Sequence, residues 1–270
     1  MIIADYHVHS CFSSDSTASM EEMAEKAIAL GMSKICFTDH MDYDFPEKYG
    51  LPFVFNPDDY FKKLDEISDK YRSRIKILKG IELGLQPYLA PRYRQLLDQY
   101  DFDFAIGSSH LVDGMDPYYP EYWINKSTEE GIETYFRSIT DNVKAFSEYQ
   151  VYGHLDYIVR YAPDKNHSYT YEKYAGIIDE MLKTIIDHGK GIEINTSGYK
   201  YGLKFAHPRT DVLKRYKELG GEIITIGSDG HSPEHLGYDF PIAEQVLLSL
   251  GFRYYVTFEG KKPIFEKLNG

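Results

Sequence analysis

The chain has 270 residues, 43% of them hydrophobic and 27% charged, which is enough apolar material for a sizeable core and excludes a disordered, collagenous or coiled-coil chain. Its 42 acidic against 30 basic residues leave a net charge of −12, which repels a nucleic-acid backbone, and no cluster of Lys and Arg offsets it. No run approaches the roughly 18 apolar residues of a membrane span and the start, Met1-Ile2-Ile3-Ala4-Asp5, lacks the basic flank of a signal peptide, so a cytoplasmic protein without membrane contact is expected.

At roughly 150 residues per domain, the length permits two domains or one large barrel. Hydrophobic periodicity predicts β-rich runs at Ile2–His7, Lys34–Thr38, Ile75–Ile81, Phe102–Gly107, Val151–His154, Gly191–Asn195, Glu222–Gly227 and Arg253–Phe258, with mostly helical patterns between them. Ser19-Met20-Glu21-Glu22 reads as a capping box ahead of Met23, Ala27 and Leu30, with Gly31 suited to the left-handed position that ends a helix. Asn56-Pro57 places a cap before a proline at the first helical position, followed by Tyr60, Leu64, Ile67 and Tyr71 at helical spacing. Ser127-Thr128-Glu129-Glu130 is a second box, opening Ile132, Tyr135, Phe136, Ile139, Val143 and Phe146. Ile177, Ile178, Met181, Leu182, Ile185 and Ile186 then run to Gly189. These stripes are expected to be core faces.

Such alternation over the whole length predicts a parallel sheet, closed into a barrel or doubly wound. A dinucleotide fold needs G-x-G-x-x-G after the first strand, and that strand ends here in Tyr6-His7-Val8-His9, which favours the barrel. Cys11 and Cys36 belong to no C-x-x-C pair and read as two buried small hydrophobes.

Chemistry collects where strands end. Of ten histidines, His7, His9, His40, His110, His154 and His231 sit at or just past the C-terminal end of a predicted strand, the rim on which barrel active sites are built. His7 and His9 are two apart, so in extended backbone both imidazoles leave the same face. Glu82 ends an apolar run, where a carboxylate needs a cation partner, either a metal or a Lys or Arg. Gly227-Ser228-Asp229-Gly230-His231 repeats the Asp-plus-His chemistry of Asp39-His40, and Asp15 is a further oxygen donor or else a helix cap. Mixed nitrogen and oxygen ligation suits Zn, Mn or Fe, and nine candidate ligands exceed the needs of one ion, so two or three divalent metal ions are expected.

His7-Val8-His9, Thr38-Asp39-His40, Gly80-Ile81-Glu82, Ser109-His110, Gly153-His154 and Ser228-Asp229-Gly230-His231, in this order, closely resemble the motifs of the polymerase and histidinol phosphatase (PHP) superfamily. The resemblance spans nearly the whole chain. The length, the context of His110 and the segment Tyr118-Tyr119-Pro120-Glu121-Tyr122-Trp123 look most like the monofunctional histidinol-phosphate phosphatases. It implies an α/β fold in which residues 1–270 form one distorted (β/α)7 barrel domain, with a trinuclear metal site at the C-terminal ends of the strands. By that similarity His7, His9, Glu82 and Asp229 hold one ion, Glu82 bridges to a second held with His110 and His154, and His40 and His231 hold a third. Many members complete the third site with another histidine; Asp15 is the substitute here, with Asp5 and Asp42 as competitors.

The implied substrate is a small phosphate monoester, drawn to the site because divalent ions reverse the local sign of an acidic protein. Arg160, six residues past His154, is the expected phosphate clamp, since a guanidinium binds two oxygens in a fork. Glu193, Asn195 and Ser197 end a strand on the same rim and are candidates for orienting water, metal ligands or the substrate amine. His207 and His235 are candidate proton donors to the leaving group, beside water. The expected activity is hydrolysis of L-histidinol phosphate in histidine biosynthesis. The alternatives are the same chemistry on a nucleotide, oligonucleotide or phosphotyrosine protein, or a metal-storing scaffold without turnover; oligomeric state is not legible.

Overall fold

The computed structural model describes residues 2–165 and 169–269. Strands β1 (Ala4–Val8), β2 (Lys34–Phe37), β3 (His40–Met41), β4 (Lys76–Gly84), β5 (Phe104–Ser108), β6 (Val151–Tyr152), β7 (Gly191–Asn195) and β8 (Ile224–Gly227) form one sheet. Its order is β1-β2-β4-β5-β6-β7-β8, all neighbours are parallel, and β3 continues the line of β2 against β4. The ring returns on itself through a parallel bridge between Val8 and Gly230, where the His9 N–H donates to Gly230 O at 2.9 Å. The result is a nearly closed, distorted (β/α)7 barrel.

Helices α1 (Met20–Ala29), α2 (Pro57–Tyr71), α3 (Ala90–Gln99), α4 (Thr128–Ala145), α5 (Tyr171–Asp187), α6 (Ser197–Lys200), α7 (Thr210–Glu218) and α8 (Phe240–Ser249) fill the crossovers. Both capping boxes form: Ser19 and Ser127 each accept the N–H three residues on, and Glu22 and Glu130 reach back to the cap amides. Asn56 caps α2 with Pro57 in the first turn. The α1 stripe is shorter than its spacing suggests. Met23 and Ala27 are buried, but Leu30 is 40% exposed, because the helix ends at Ala29 and Gly31 turns the chain with φ +76°. No helix among the described residues is long and apolar enough to cross a membrane.

The strands separate two cores. Their outer faces pack on the helices, with Ile35, Phe37, Ile81 and Ile192 in the large cluster. Inside the barrel lie Ala4, Tyr6, Cys36, Leu78, Phe104, Ile106 and Val151, with Cys11, unlike Cys36, exposed in the loop after β1; the interior set is joined by Val256 and Phe258. These last two belong to the run expected as an eighth alternating strand. It forms β9 (Tyr254–Glu259), which pairs antiparallel with β10 (Lys262–Lys267) outside the barrel sheet. The ring is already joined from β8 to β1, so β9 instead plugs the barrel, with Tyr6 Oη donating to Phe258 O at 2.8 Å.

An irregularity in the first strand turns His7 towards the barrel axis. The β1–β2 register shifts between Asp5 and Val8, and Tyr6 and the adjacent His7 both serve the interior, Tyr6 in the apolar half and His7 above it against Glu82 and Glu193.

Close strand approach leaves no space at Gly191, where a Cβ would fall 2.3 Å from Ile223 Cγ2 and 2.4 Å from Ile223 O. Gly191→Ala is expected to destabilise the barrel by about 1–3 kcal/mol through overpacking, read as a lower urea midpoint at unchanged slope.

Candidate metal centre

Each chain segment delivers its side chain by ending where it does. His7 is the penultimate residue of β1 and His9 directly follows the strand, His40 opens β3, Glu82 lies near the end of β4, and His110 comes two residues after β5. His154 and Asp229 leave β6 and β8 with positive φ, +21° and +54°, which turns their side chains back over the barrel mouth. Asp15 lies in the loop after β1. His231 follows Asp229 by two residues, and all nine meet on the C-terminal rim.

Glu82 is at the centre, fully buried. Its Oε2 lies 2.9 Å from His40 Nδ1, 3.3 Å from His7 Nε2 and 3.6 Å from His9 Nε2. Its Oε1 lies 2.9 Å from His154 Nε2 and 3.2 Å from His110 Nε2, and accepts from Ser108 Oγ at 2.7 Å. Asp229 Oδ1 lies 3.4 Å from His9 Nε2, 3.5 Å from His231 Nδ1 and 3.8 Å from His7 Nε2. Asp15 Oδ2 reaches His231 Nε2 at 3.2 Å and His40 Nε2 at 3.8 Å.

Ligand-type atoms lie within 4.8 Å of one another in the groups His7–His9–Glu82, Glu82–His110–His154, His7–His154–Asp229, His9–His40–His231 and His40–Asp42–His110. Glu82 belongs to two of them. His7 Nε2, His9 Nε2, His40 Nδ1, Glu82 Oε2, His154 Nδ1 and His231 Nε2 are buried without a hydrogen-bond partner. Buried polar atoms that aim at one another and bond to nothing are costly unless a cation lies between them. The donor set, imidazole nitrogen with carboxylate oxygen, fits zinc, manganese or iron.

On three of the rings Nδ1 is spoken for. His7 Nδ1 donates to Glu193 Oε1 at 2.7 Å, His110 Nδ1 to Asp42 Oδ2 at 2.6 Å, and His231 Nδ1 to the Asp229 carbonyl at 3.1 Å. Such partners fix the tautomer and leave Nε2 free. Burial would raise the Glu82 carboxyl, but the imidazoles of His7, His110 and His40 hold it well below the usual carboxylate range. His110 is lowered by burial, yet Asp42 and Glu82 lift it to about 10. His9 faces no carboxylate on its outer side, and burial together with His231 and His40 pushes it well below the usual imidazole range.

Beside this cage a pocket of about 440 Å³ opens, lined by Asp116, Tyr119, Tyr157, Arg160 and Tyr201 among others. The Arg160 guanidinium stacks 3.9 Å from the Tyr201 ring centroid, and its Nε and Nη1 have no partner. Tyr49 and Tyr119 stack at 4.1 Å to form one wall. Burial pushes the Asp116 carboxyl up to about 6.

Other expected residues fall elsewhere. Glu193 lies behind His7, where Oε2 accepts Asn195 Nδ2 at 3.0 Å and the His154 amide at 3.1 Å, so it supports a ring and does not line the pocket. Ser197 also lies off the pocket; its amide donates to Asn195 Oδ1 at 3.0 Å. Neither His207 nor His235 lines the pocket: His207 is fully buried against Asp156 at 2.5 Å, and His235 Nδ1 lies 2.9 Å from Ser232 Oγ. Asp5 accepts the amides of Ser228, His7 and Gly237, which ties β1 to the end of β8. Sequence patterning does not single out Ser13, Asp116 or Lys200, whose Nζ donates to Asp229 O at 3.1 Å. Only spacing hints at Asp42, two residues after His40 on an extended stretch.

A family model described as PHP domain matches residues 5–197. A histidinol-phosphatase of Lactococcus lactis is 33% identical, covering 96% of this chain and 95% of its own length. A probable histidinol-phosphatase of Clostridium acetobutylicum is 36% identical, covering 88% and 90%. The crystal structure of the Lactococcus lactis histidinol phosphate phosphatase complexed with zinc, L-histidinol and phosphate superposes with a TM-score of 0.88 at 32% identity, covering 97% of this chain and 98% of that one.

Because Glu82 borders two candidate ion positions, Glu82→Gln should lower the content of more than one metal ion per chain, measured by elemental analysis of the purified protein. Wild-type metal content in that variant would refute the bridging position.

Proposed function

The chain belongs to the PHP domain family, and from that membership we propose that it is a metal-dependent phosphomonoesterase hydrolysing L-histidinol phosphate to L-histidinol and phosphate in histidine biosynthesis. One observation carries the reading: a buried cage of imidazoles and carboxylates with unpartnered inward atoms opens onto an aromatic pocket holding a guanidinium with two unpartnered nitrogens. The whole chain, 1–270, acts as one phosphatase domain, since Asp229 and His231 come from beyond the matched segment and still face His7 and His9.

His7, His9, Glu82 and Asp229 would hold one divalent ion, Glu82 with His110 and His154 a second, and His40 and His231 with Asp15 a third; zinc, manganese and iron all suit this donor set. When bound, these ions supply a nucleophilic water and neutralise charge developing on the phosphoryl group. The chain's own residues do the rest. Arg160 offers its charge and its free nitrogens to the phosphoryl oxygens, held in direction by the rings of Tyr157, Tyr161 and Tyr201. Lys200 adds a second positive charge beside Asp229. Asp116 pairs with a cationic group of histidinol, and the Tyr49–Tyr119 wall offers a flat surface for its imidazole. Glu193 and Asp42 act through His7 and His110 by holding those rings, which makes them positioning residues. Two free cysteines and a substrate drawn from biosynthesis support the cytoplasm as the compartment.

The test is phosphate release from L-histidinol phosphate beside a short oligonucleotide and a phosphotyrosine peptide, with elemental analysis of the same sample. Release chiefly from histidinol phosphate is expected. Preference for either of the other two would make this a phosphoesterase of different substrate, and bound metal without release from any ester would make it a metal store.

Within the pocket, Arg160→Ala should raise KM by about 10–100-fold, the value of one or two charge-assisted hydrogen bonds, with an unchanged circular dichroism spectrum; unaltered kinetic constants would remove Arg160 from the site. The Asp116 carboxyl, lifted to about 6 by burial, is neutral below that pH and charged above it. KM for histidinol phosphate should therefore fall as pH rises through 6, and Asp116→Asn should raise KM at pH 7 and lose that part of the pH dependence.

A further inference from the structure

We propose that Ser13 and Asp39 form a proton-directing pair that decides which nitrogen of His9 faces the metal centre. The inference rests on the proposed ligand role of His9. Ser13 Oγ lies 2.9 Å from His9 Nδ1. A serine hydroxyl donates or accepts equally well, so by itself this contact leaves the imidazole tautomer open.

The other contacts of Ser13 remove that freedom. Ser13 Oγ donates to Asp39 Oδ1 at 2.7 Å, and the same oxygen accepts the Ser10 amide at 2.7 Å. An oxygen that already faces an amide proton is an acceptor. The His40 backbone N–H also donates to Ser13 Oγ, at 3.1 Å. A hydroxyl has one proton, and here it goes to Asp39. What Ser13 turns towards His9 is a lone pair, so His9 carries its own proton on Nδ1. Its bare Nε2, buried and without a protein partner, then points between Asp229 Oδ1 at 3.4 Å and Glu82 Oε2 at 3.6 Å.

His7 and His110 obtain the same result from a carboxylate in direct contact. His9 belongs to two ligand groups at once, His7–His9–Glu82 and His9–His40–His231, and obtains it through a neutral hydroxyl with the carboxylate one bond further away. Asp39 is held for the task, fully buried, with Ser10 Oγ donating to its second oxygen at 2.9 Å. Because Ser13 also bears the His40 main chain, one hydroxyl sets the ring of one ligand and the backbone of another. Ser13 and Asp39 are thus positioning residues for His9.

The experiment is zinc binding to metal-stripped protein, read by competition with a chromogenic chelator. Ser13→Ala should weaken zinc binding by about 10–100-fold, while Ser13→Thr, which keeps the hydroxyl, restores it. Asp39→Ala frees the Ser13 proton to point at His9 and should weaken binding as Ser13→Ala does; Asp39→Asn keeps an acceptor oxygen and should stay near wild type. A folded Ser13→Ala variant that binds zinc like wild type overturns the proposal and leaves the phosphatase reading standing, whereas wild-type protein that takes up no zinc overturns both. Should Ser13→Ala not fold, 15N NMR of the histidine rings in zinc-loaded wild type decides. A protonated Nδ1 on His9 supports the pair, and an unprotonated Nδ1 overturns it.

Discussion

A carboxylate with no access to water must be met by positive charge or by donors, because its lost hydration amounts to several kcal/mol and nothing apolar returns it. Glu82 is in that position at the end of β4, and no lysine or arginine among the described residues comes to it; its neighbours are the imidazoles of His7, His9, His40, His110 and His154, with one hydroxyl from Ser108. Imidazoles answer the need in two ways, by taking up protons or by sharing a cation with the carboxylate. The unpartnered atoms around Glu82 fit the second, since protonating every ring would crowd like charges within a few ångströms. The acidic character of the whole chain therefore says little about the field at the barrel mouth.

That arrangement depends on a division of the barrel interior along its axis. The lower half is apolar and plugged by Val256 and Phe258 from β9, while the upper half is polar, with Glu82, Ser108, Glu193 and Asn195 pointing inward. The plug keeps water from the lower interior, so the polar groups above rest on a dry and close-packed floor. On such a floor Glu193 can hold His7 and bond Asn195 and the His154 amide without competition from solvent.

Ring closure brings in the remaining residues of the cage. Asp5 gathers the amides of His7, Ser228 and Gly237, and the Val8–Gly230 bridge completes the join. Asp229 and His231, more than two hundred residues from His7 and His9 along the chain, come to face them only because β8 meets β1 there. The register shift in β1 does the complementary work, turning His7 inward directly after an inward Tyr6.

Local patterning is enough to locate the strand ends, the caps of α1, α2 and α4, and the histidines and acids that leave each strand, because period-two and helical spacing act over a few residues and a strand end is a local event. The order of those motifs also carries the family, since the candidate ligands are distributed one strand at a time. What no local pattern contains is who faces whom. Glu193 reads from sequence as a rim carboxylate beside Asn195, and only the approach of β7 to β1 makes it the partner of His7. Arg253–Phe258 has the pattern of another barrel strand, and only the closure of β8 on β1 sends it below the ring. Ser13 and Asp116 are ordinary loop residues, and Lys200 an ordinary helix end, until the fold sets them against His9, Arg160 and Asp229. Those pairings lie between segments far apart in the chain, and their energies exist only once the barrel has closed, which is why the sequence determined the cast of residues and where each strand delivers them, while the tertiary structure decided their partners.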